Sequence, residues 1–416
     1  MQTGLSARDA ALWIVGAVKP EPPLRVPLDD GLGSVLAESI TSPINVPFWT
    51  NSAMDGYAAR GADVRGASAT NPRRLTVIER IPAGSFPKQS IGPGQCARIF
   101  TGAPVPPGAD SVIRQEDTDG GNDVVTIVRD RDCGANCRQA GEDLRAGSRI
   151  LDAGTELGPA HLGVLASLAV AHPVVYRRPR VAIFGSGDEI VDLGHPEEIL
   201  TGRKVASSNT HALVALVKTA GGEPVNLGIA GDTRDSVLEH LARAASCDLL
   251  VTTAGVSVGE HDHLRTAVES MGGRLDFWRV RIRPGAPVAF GTLGKLPWIG
   301  LPGNPVSTMV TFELFVRPAI RKMMGHSLLF RRAVAARATE AITVGPGLQH
   351  FLRAVHGDLP EPSVRLAGAQ GSGILSSMIR ANSLAVIPEG QLETPVGAPV
   401  SVIRFDDPGY LAVPPF

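Results

Sequence analysis

From Arg180 to about residue 330, short apolar segments with β character alternate with segments of helical periodicity. The apolar segments include RVAIF, EPVNLGIA and DLLVTTAG, and a helical pattern follows each of them. This alternation predicts a three-layer α/β domain with a mostly parallel sheet. Ligands of such sheets bind beyond the carboxyl ends of the strands. We therefore expect a binding site at that edge.

The rest of the chain has a different character. Short β-rich segments separated by Gly/Pro turns predict an inserted all-β domain at 44–140. Helical patterns on either side of it predict a discontinuous helical first domain at 1–43 and 141–175. The α/β domain then covers 176–330, and further short β segments predict a C-terminal β-barrel-like domain at 331–416. The predicted fold class is a multidomain α/β plus β protein.

Composition excludes several classes of protein. A formal net charge of -1 over 416 residues argues against nucleic acid or an anionic membrane as the main partner. The chain contains no run of about 18 apolar residues that would span a membrane, and its first residues lack the order of a signal peptide. Four cysteines are too few for a disulfide framework, and Cys133 with Cys137 forms only an incomplete metal motif. We expect a cytoplasmic protein.

Acidic residues follow three of the predicted strands. Asp188 and Glu189 follow VAIF, Asp232 follows NLGIA, and Glu260 with Asp262 follows LLVTTAG. Carboxylates at neighbouring strand ends can converge on one crevice, and oxygen ligands of this kind suit Mg²⁺ with substrate phosphates. We expect Glu189, Asp232 and Asp262 to hold the metal. Asp232 and Asp262 also stand at predicted helix starts, where aspartate equally serves as a cap.

Two loops are candidates for anion binding. VTTAGVSVGEHDH has a glycine-rich turn, containing Ser257 and Gly259, between a strand and a helix, where backbone N–H groups and the helix dipole favour a phosphate. LPGNP places Pro302 and Pro305 in a fixed turn before a helix that is capped near Asn304. A phosphate together with Mg²⁺ would explain why acidic residues end the first of these loops.

Arginines alternate along FWRVRIRPGAP. Arg279, Arg281 and Arg283 occupy every second position, which places them on one face of a strand. Aligned guanidinium groups bind oxyanions through paired hydrogen bonds, whereas the alternative is a solvated edge-strand face.

The chain resembles the molybdopterin molybdenumtransferase family, which is related to the C-terminal domain of gephyrin. The matching segments occur in family order along nearly the whole chain: NSAMDGYA (51–58), IFTGAPVPPGADSVI (99–113), GED (141–143), GSGDEIV (185–191), SN (208–209), GVSVGEHD (255–262), RPGAP (283–287), GLPGNPVS (300–307) and GSGILSSMIRAN (371–382). MDGYA, GVSVGE and LPGNP together make the resemblance specific.

The resemblance implies four domains in an elongated homodimer whose cleft is lined by both subunits. It also implies the reaction, in which adenylated molybdopterin is hydrolysed to release AMP and molybdate is inserted with the help of Mg²⁺. A molybdopterin adenylyltransferase would be a possible partner protein. The residues that match family cleft and anion-binding positions are Asp55, Thr101, Glu189, Asp232, Asp262, Arg279, Arg283, Pro302, Pro305 and, in the last motif, Ser372.

This sequence departs from many relatives at one loop. They have lysine at both basic positions of K-P-G-K-P, where this chain has Arg283 and Ala286. A planar guanidinium thus replaces an ammonium, and the second charge is missing, so the affinity for molybdate and the preference between molybdate and tungstate stay open at this point. Two other functions stay open at this point: a molybdopterin adenylyltransferase, which shares the α/β domain, and a non-catalytic dimeric scaffold of the gephyrin type.

Overall fold

The computed structural model describes residues 2–255, 263–358, 361–407 and 409–416. The chain divides into two compact units. The larger unit comprises Met1–Ala37, Gly154–Pro159 and His172–Phe416, and the smaller unit comprises Glu38–Ala153 and Ala160–Ala171. Within the described ranges, no helix is both long enough and apolar enough to cross a membrane.

A seven-stranded mixed sheet forms the centre of the larger unit. In spatial order its strands are Gln2–Leu5, Arg274–Val280, Ala289–Leu293, Leu296–Leu301, Leu249–Thr253, Arg180–Ser186 and Glu223–Ala230. The last four strands of that order run parallel to one another. Ala289–Leu293 is antiparallel to both of its neighbours, because a two-residue turn with Gly294 at φ +61 returns the chain directly. The predicted mostly parallel sheet is confirmed.

Both faces of this sheet carry apolar side chains. Val181 and Ile183 belong to one buried cluster, whereas Ala182 and Phe184 belong to another, because successive residues of a strand point to opposite faces. Helices cover both clusters, which gives the three predicted layers. The helical segments of this unit are Ala7–Ala17, Leu28–Gly31, Pro196–Leu200, Ser208–Thr219, Arg234–Ala244, His263–Ser270, Pro305–Thr311, Phe312–Val316, Arg317–Met323 and Ser376–Arg380.

The first strand and helix pack with this sheet. Gln2–Leu5 pairs in parallel with Arg274–Val280, and helix Ala7–Ala17 begins after Ser6, whose hydroxyl accepts a hydrogen bond from the Asp9 N–H. The buried side of the helix joins the cluster that includes Val181 and Ile183. The sequence analysis placed these residues in the helical first domain. Their apolar stripe instead covers the sheet, since it finds its buried surface there.

The end of the chain forms a closed barrel. Its five strands are Gln349–Gly357, Ser363–Leu366, Ala333–Ala338, Pro399–Arg404 and Ser383–Ile387. Pairing of the first of these strands with the last closes the ring. Ile282–Arg283 pairs with Gln349–Gly357 but is not one of the five strands of the ring. The predicted C-terminal β-barrel is confirmed. Short strand pairs complete the larger unit: Pro23–Arg25 with Val174–Tyr176, Ile190–Val191 with Val205–Ala206, Phe330–Arg331 with Tyr410–Leu411, and Ile342–Thr343 with Glu393–Thr394.

The smaller unit is built around a five-stranded sheet. Its strands are, in spatial order, Ser111–Arg114, Gly56–Ala59, Gln95–Ile99, Arg73–Ile81 and Val124–Ile127. Separate buried clusters contain Tyr57 and Ala58, which are successive residues of one strand. Two short pairs and three helical segments accompany the sheet: Asn51–Ser52 with Cys137–Arg138, Ile40–Thr41 with Arg149–Leu151, Gly61–Val64, Gln115–Asp117 and Pro159–Ser167.

Candidate functional site

The carboxyl ends of the parallel strands carry a pair of aspartates. Asp188 follows strand Arg180–Ser186, and Asp232 follows strand Glu223–Ala230. The backbone N–H of Asp188 donates to Asp232 Oδ2 at 3.1 Å, and the N–H of Asp232 donates to Asp188 Oδ1 at 2.9 Å. These reciprocal bonds hold the two strand ends together and keep both carboxylates at one edge of the sheet.

Asp232 is not the cap of the helix that follows it. Thr233 is the N-cap residue of helix Arg234–Ala244, and its hydroxyl accepts from the Ser236 N–H at 3.3 Å. The cap interpretation of Asp232 is therefore wrong. Its carboxylate instead serves the neighbouring strand end through Asp188.

Glu189 lies beside the aspartates on an exposed turn. Gly187 has a φ of +137, and a Cβ at this position would lie 2.5 Å from Glu189 Oε2. Glycine is thus required for the turn and for the position of the carboxylate. The Lys204 ammonium donates to the Asp188 carbonyl, which adds a positive charge to this acidic edge.

A cleft of ≈ 160 Å³ opens at the same edge of the sheet. Its walls include Gly185, Glu189, Asn209, Thr253 and Gly303. The Asn209 amide donates to Thr253 Oγ1 at 2.9 Å and to the Gly303 carbonyl at 2.7 Å. The amide thereby joins the helix Ser208–Thr219, a strand end and the LPGNP loop into one wall.

The LPGNP loop is held on both sides. The buried hydroxyls of Thr253 and Thr308 donate to the Pro302 carbonyl at 3.1 Å and 2.6 Å. Asn304 precedes helix Pro305–Thr311 as predicted, but its side chain makes no capping bond. The Asn304 amide donates instead to Ser372 Oγ at 3.0 Å. Four of the predicted binding residues, Pro302, Asn304, Pro305 and Ser372, are therefore neighbours.

Three predicted residues lie outside the described part of the chain: Ser257, Gly259 and Asp262. Their roles stay predictions. Within the described residues, no group of three or more Asp, Glu, His or Cys side chains is placed to hold a metal ion. Of the predicted metal ligands, Glu189 and Asp232 are described, and both lie at the strand-end edge.

Arg279, Arg281 and Arg283 do not lie on one continuous strand, because Arg279 belongs to strand Arg274–Val280 and Arg283 to strand Ile282–Arg283. Arg279 has a φ of +67, so the strand pairing changes there, and Ile282–Arg283 pairs with the barrel. The guanidinium groups also have different surroundings. That of Arg279 lies 4.7 Å from the Trp278 ring centre, whereas that of Arg281 contacts Glu389 at 3.1 Å and donates to the Gly4 carbonyl. The expectation of one aligned strand is wrong, although all three side chains are exposed.

Arg283 keeps the properties expected of an oxyanion ligand. Its side chain is exposed, and its guanidinium has no hydrogen bond or ion pair to any described residue. His350 pairs with Arg283 on the neighbouring strand. The pKa of His350 is lowered mainly because the ring is buried, and the positive charge of Arg283 lowers it further. Arg283 is thus available to an anion, whereas Arg281 is paired with Glu389 and Arg279 lies over the Trp278 ring.

Arg353 was not singled out by sequence reasoning. It is fully buried in strand Gln349–Gly357, where its Nε donates to Ser377 Oγ at 3.1 Å and its Nη2 donates to the Gly371 carbonyl at 2.9 Å. Its Nη1 has no hydrogen-bond partner among the described residues. The only signal in the sequence was a charged residue within the apolar run HFLRAV. Since Gly371 precedes Ser372, Arg353 supports the segment that contacts LPGNP.

The smaller unit holds the other two predicted residues. Asp55 Oδ1 accepts from the Thr101 backbone N–H at 2.8 Å and from the Thr101 hydroxyl at 2.7 Å. These hydrogen bonds lower the pKa of the exposed Asp55 carboxyl. Asp55 and Thr101 therefore form one hydrogen-bonded pair, with the carboxylate ionised at neutral pH.

Three family models match successive parts of the chain. They are the "MoeA N-terminal region (domain I and II)" at residues 5–169, the "Probable molybdopterin binding domain" at 182–322 and the "MoeA C-terminal region (domain IV)" at 335–405. The middle model covers the strand ends and the LPGNP loop.

Individual relatives match over nearly their whole length. A molybdopterin molybdenumtransferase of Nostoc sp. is 38% identical over 89% of this chain and 86% of its own. A molybdopterin molybdenumtransferase 2 of Mycobacterium tuberculosis is 37% identical over 91% of this chain and 94% of its own. The crystal structure of the molybdopterin biosynthesis moeA protein from Pyrococcus horikoshii is 30% identical, with a TM-score of 0.81 over 97% of this chain and all of that chain. The chain therefore belongs to the molybdopterin molybdenumtransferase (MoeA) family.

Proposed function

We propose that this protein is a molybdopterin molybdenumtransferase. In this reaction, adenylated molybdopterin is hydrolysed at its anhydride, AMP leaves, and molybdate is inserted into the dithiolene of molybdopterin. The observation that carries the proposal is the strand-end cleft, which has Glu189, Asn209 and the fixed LPGNP loop in its walls, together with the Asp188 and Asp232 pair at the same edge of the sheet. This cleft lies within the segment that matches the molybdopterin-binding model.

The carboxylates are suited to assist hydrolysis with Mg²⁺. Glu189 and Asp232 offer hard oxygen donors at one sheet edge, which is the donor chemistry that Mg²⁺ prefers, and a third carboxylate would have to come from outside the described residues. We propose that Glu189 and Asp232 hold the ion together with Asp262. A bound Mg²⁺ would neutralise charge on the substrate phosphates. Lys204 and Asn209 would orient the acidic turn and the loop wall around that substrate.

The test of this function is a turnover assay. Purified protein is mixed with adenylated molybdopterin, Mg²⁺ and molybdate, and AMP and molybdenum cofactor are quantified. We expect both products in equal amounts. Formation of the adenylate from ATP and metal-free molybdopterin would instead indicate an adenylyltransferase, and absence of either reaction would indicate a scaffold. Replacing molybdate with tungstate in the same assay measures the preference between the two oxyanions.

Arg283→Ala is expected to raise the molybdate concentration required for insertion. A charge-assisted hydrogen bond contributes roughly 1.5–3 kcal/mol, so oxyanion binding should weaken about ten- to a hundredfold. Ala286 supplies no charge that could compensate. The measurement is a molybdate titration of cofactor formation, with adenylate binding followed separately by calorimetry. Arg281→Ala is the matched control, since Arg281 is paired with Glu389. An unmoved titration in Arg283→Ala would assign Arg283 to a solvated surface.

We also propose a homodimer in which each active site uses residues of both chains. The support is that Asp55 matches a family cleft position but belongs to the smaller unit, whereas Asp232 belongs to the larger unit. Asp55→Asn and Asp232→Asn chains should each be inactive alone and regain part of the activity when mixed. Activity and light scattering are measured after subunit exchange. A monomer, or mixed chains that stay inactive after confirmed exchange, would contradict the shared site.

A molybdopterin adenylyltransferase that supplies the adenylate is the proposed partner protein.

A further inference from the structure

A second cavity lies away from the strand-end cleft. Its volume is ≈ 320 Å³, and it is lined by residues of helix Ser208–Thr219, of the helical segment from Pro305 to Met323, and of strand Phe330–Arg331. Met378 of helix Ser376–Arg380 and Phe405, which follows strand Pro399–Arg404, complete the lining. None of its lining residues also lines the strand-end cleft. Its apolar wall is made by Leu216, Met309, Met378 and Phe405. A volume of this size with a mostly apolar lining is typical of a small-ligand pocket.

The polar end of the cavity holds three charged side chains. Glu313 accepts from Arg317 Nε at 2.7 Å and Nη2 at 2.8 Å, and from Arg331 Nε at 2.8 Å. The exposed fractions of these side chains are 7% for Glu313, 2% for Arg317 and 11% for Arg331. Two guanidinium groups therefore face one carboxylate, which leaves one net positive charge with little access to water.

The two arginines differ in how many of their guanidinium nitrogens donate hydrogen bonds. Every guanidinium nitrogen of Arg317 donates a hydrogen bond, because its Nη1 and Nη2 also donate to the carbonyl and hydroxyl of Thr219, both at 3.1 Å. Arg331 Nη1 donates to the Phe405 carbonyl at 2.8 Å. Arg331 Nη2 has no hydrogen bond to any residue in the part of the chain that the structure describes. One charged donor is thus left at a cavity that is otherwise lined by four apolar residues and by the hydrogen-bonded Thr219, Glu313 and Arg317.

The backbone at this point is also unusual. Residues Phe312–Val316 form a π-helical turn between the α-helices Pro305–Thr311 and Arg317–Met323. Such turns are rare and occur frequently at functional sites. Glu313 lies on this turn, four residues before Arg317. The same irregular turn therefore carries the carboxylate that both arginines contact.

We propose that this cavity binds a small monocarboxylate with an apolar body, with the ligand carboxylate at Arg331 Nη2 and the body against Leu216, Met309, Met378 and Phe405. One negative charge on the ligand would balance the net charge of the cluster. Repulsion from Glu313 is limited, because both of its oxygens already accept from arginine. Methionine side chains adapt readily to differently shaped apolar groups. The site is separate from the proposed reaction and does not depend on it.

The test is calorimetric titration of the full-length protein with phenylacetate, and with 2-phenylethanol as the uncharged analogue. We expect saturable binding of one phenylacetate per chain at millimolar concentration and at least about tenfold weaker binding of the alcohol. Arg331→Met should weaken phenylacetate binding by a similar factor. Arg337→Met is the matched control, because Arg337 is an exposed arginine on barrel strand Ala333–Ala338 and does not line this cavity.

A filling variant covers the case in which Arg331→Met fails to fold. Leu216→Trp places an indole ring in the cavity and leaves the three charged residues in the sequence, and it should abolish binding while circular dichroism stays unchanged. The proposal is overturned if phenylacetate does not bind the unmodified protein, or if it binds folded Leu216→Trp equally well. Equal binding of acid and alcohol would overturn the role of Arg331.

Discussion

Asp232→Asn is expected to reduce the turnover of adenylated molybdopterin by about a hundred- to a thousandfold, the range observed when one group that stabilises transition-state charge is removed. The asparagine oxygen still accepts from the Asp188 N–H, so the 3.1 Å bond that joins the strand ends is kept. The helix that follows is unaffected, because Thr233 caps it. Only the negative charge is lost, and the effect should therefore appear in the rate of hydrolysis.

The matched control for this variant is Asp235→Asn. Asp235 lies three residues away in the first turn of helix Arg234–Ala244 and is exposed, and the Asp188 N–H at the strand end donates to Asp232 and not to Asp235. Its replacement removes the same charge from the same surface and should change turnover by less than about twofold, since exposed charges are screened by salt. Single-turnover release of AMP separates hydrolysis from molybdate insertion. Equal rates for the two variants would remove Asp232 from the catalytic residues.

The second large effect is expected in stability, at Glu313. Glu313→Ala leaves the buried guanidinium of Arg317 and that of Arg331 without their common acceptor. Removing one partner of a buried ion pair costs about 3–5 kcal/mol, because the remaining charge stays out of water. Glu389→Ala is the control, since its pair with Arg281 is about half exposed and should contribute less than about 1 kcal/mol. The measurement is the midpoint of urea unfolding.

The same cluster predicts a dependence of stability on pH. Burial raises the pKa of Glu313, but the charges and hydrogen bonds of Arg317 and Arg331 outweigh it, so the pKa lies below its ordinary value. A lowered pKa in the folded state means that the stabilisation is present above the unfolded-state pKa and is lost as pH falls through the folded-state value. Glu313→Ala should therefore lose less stability than the unmodified protein between neutral and strongly acidic pH. Parallel losses in both proteins would contradict this assignment.

The overall organisation of this protein could be predicted from the periodicity and the motifs of its sequence. The alternation after Arg180 was sufficient for the three-layer α/β arrangement, because a parallel sheet needs helical connections and buries both of its faces. The strand-end location of Asp188, Glu189 and Asp232 followed from the same geometry. The motifs MDGYA, GVSVGE and LPGNP were sufficient for the family. All of these are local patterns, or consequences of one regular architecture.

Choices between neighbouring or distant residues needed the tertiary structure. Thr233 rather than Asp232 caps the helix, although both residue types are good caps, because the reciprocal bonds with Asp188 occupy the aspartate. Arg281 appeared equivalent to Arg283 in sequence, but Glu389, 108 residues away, pairs with it and leaves Arg283 available.

Two further features were decided by contacts between distant segments. Strand Gln2–Leu5 joins the central sheet through pairing with a strand more than 270 residues later, and Gln349–Gly357 closes the barrel by pairing with Ser383–Ile387. Spacing and composition determined which elements form and which chemistry lies at their ends, since both depend on near neighbours in the chain. Which charges are neutralised, which helix covers which sheet and which arginine stays free depend on side chains that only folding brings within hydrogen-bond distance.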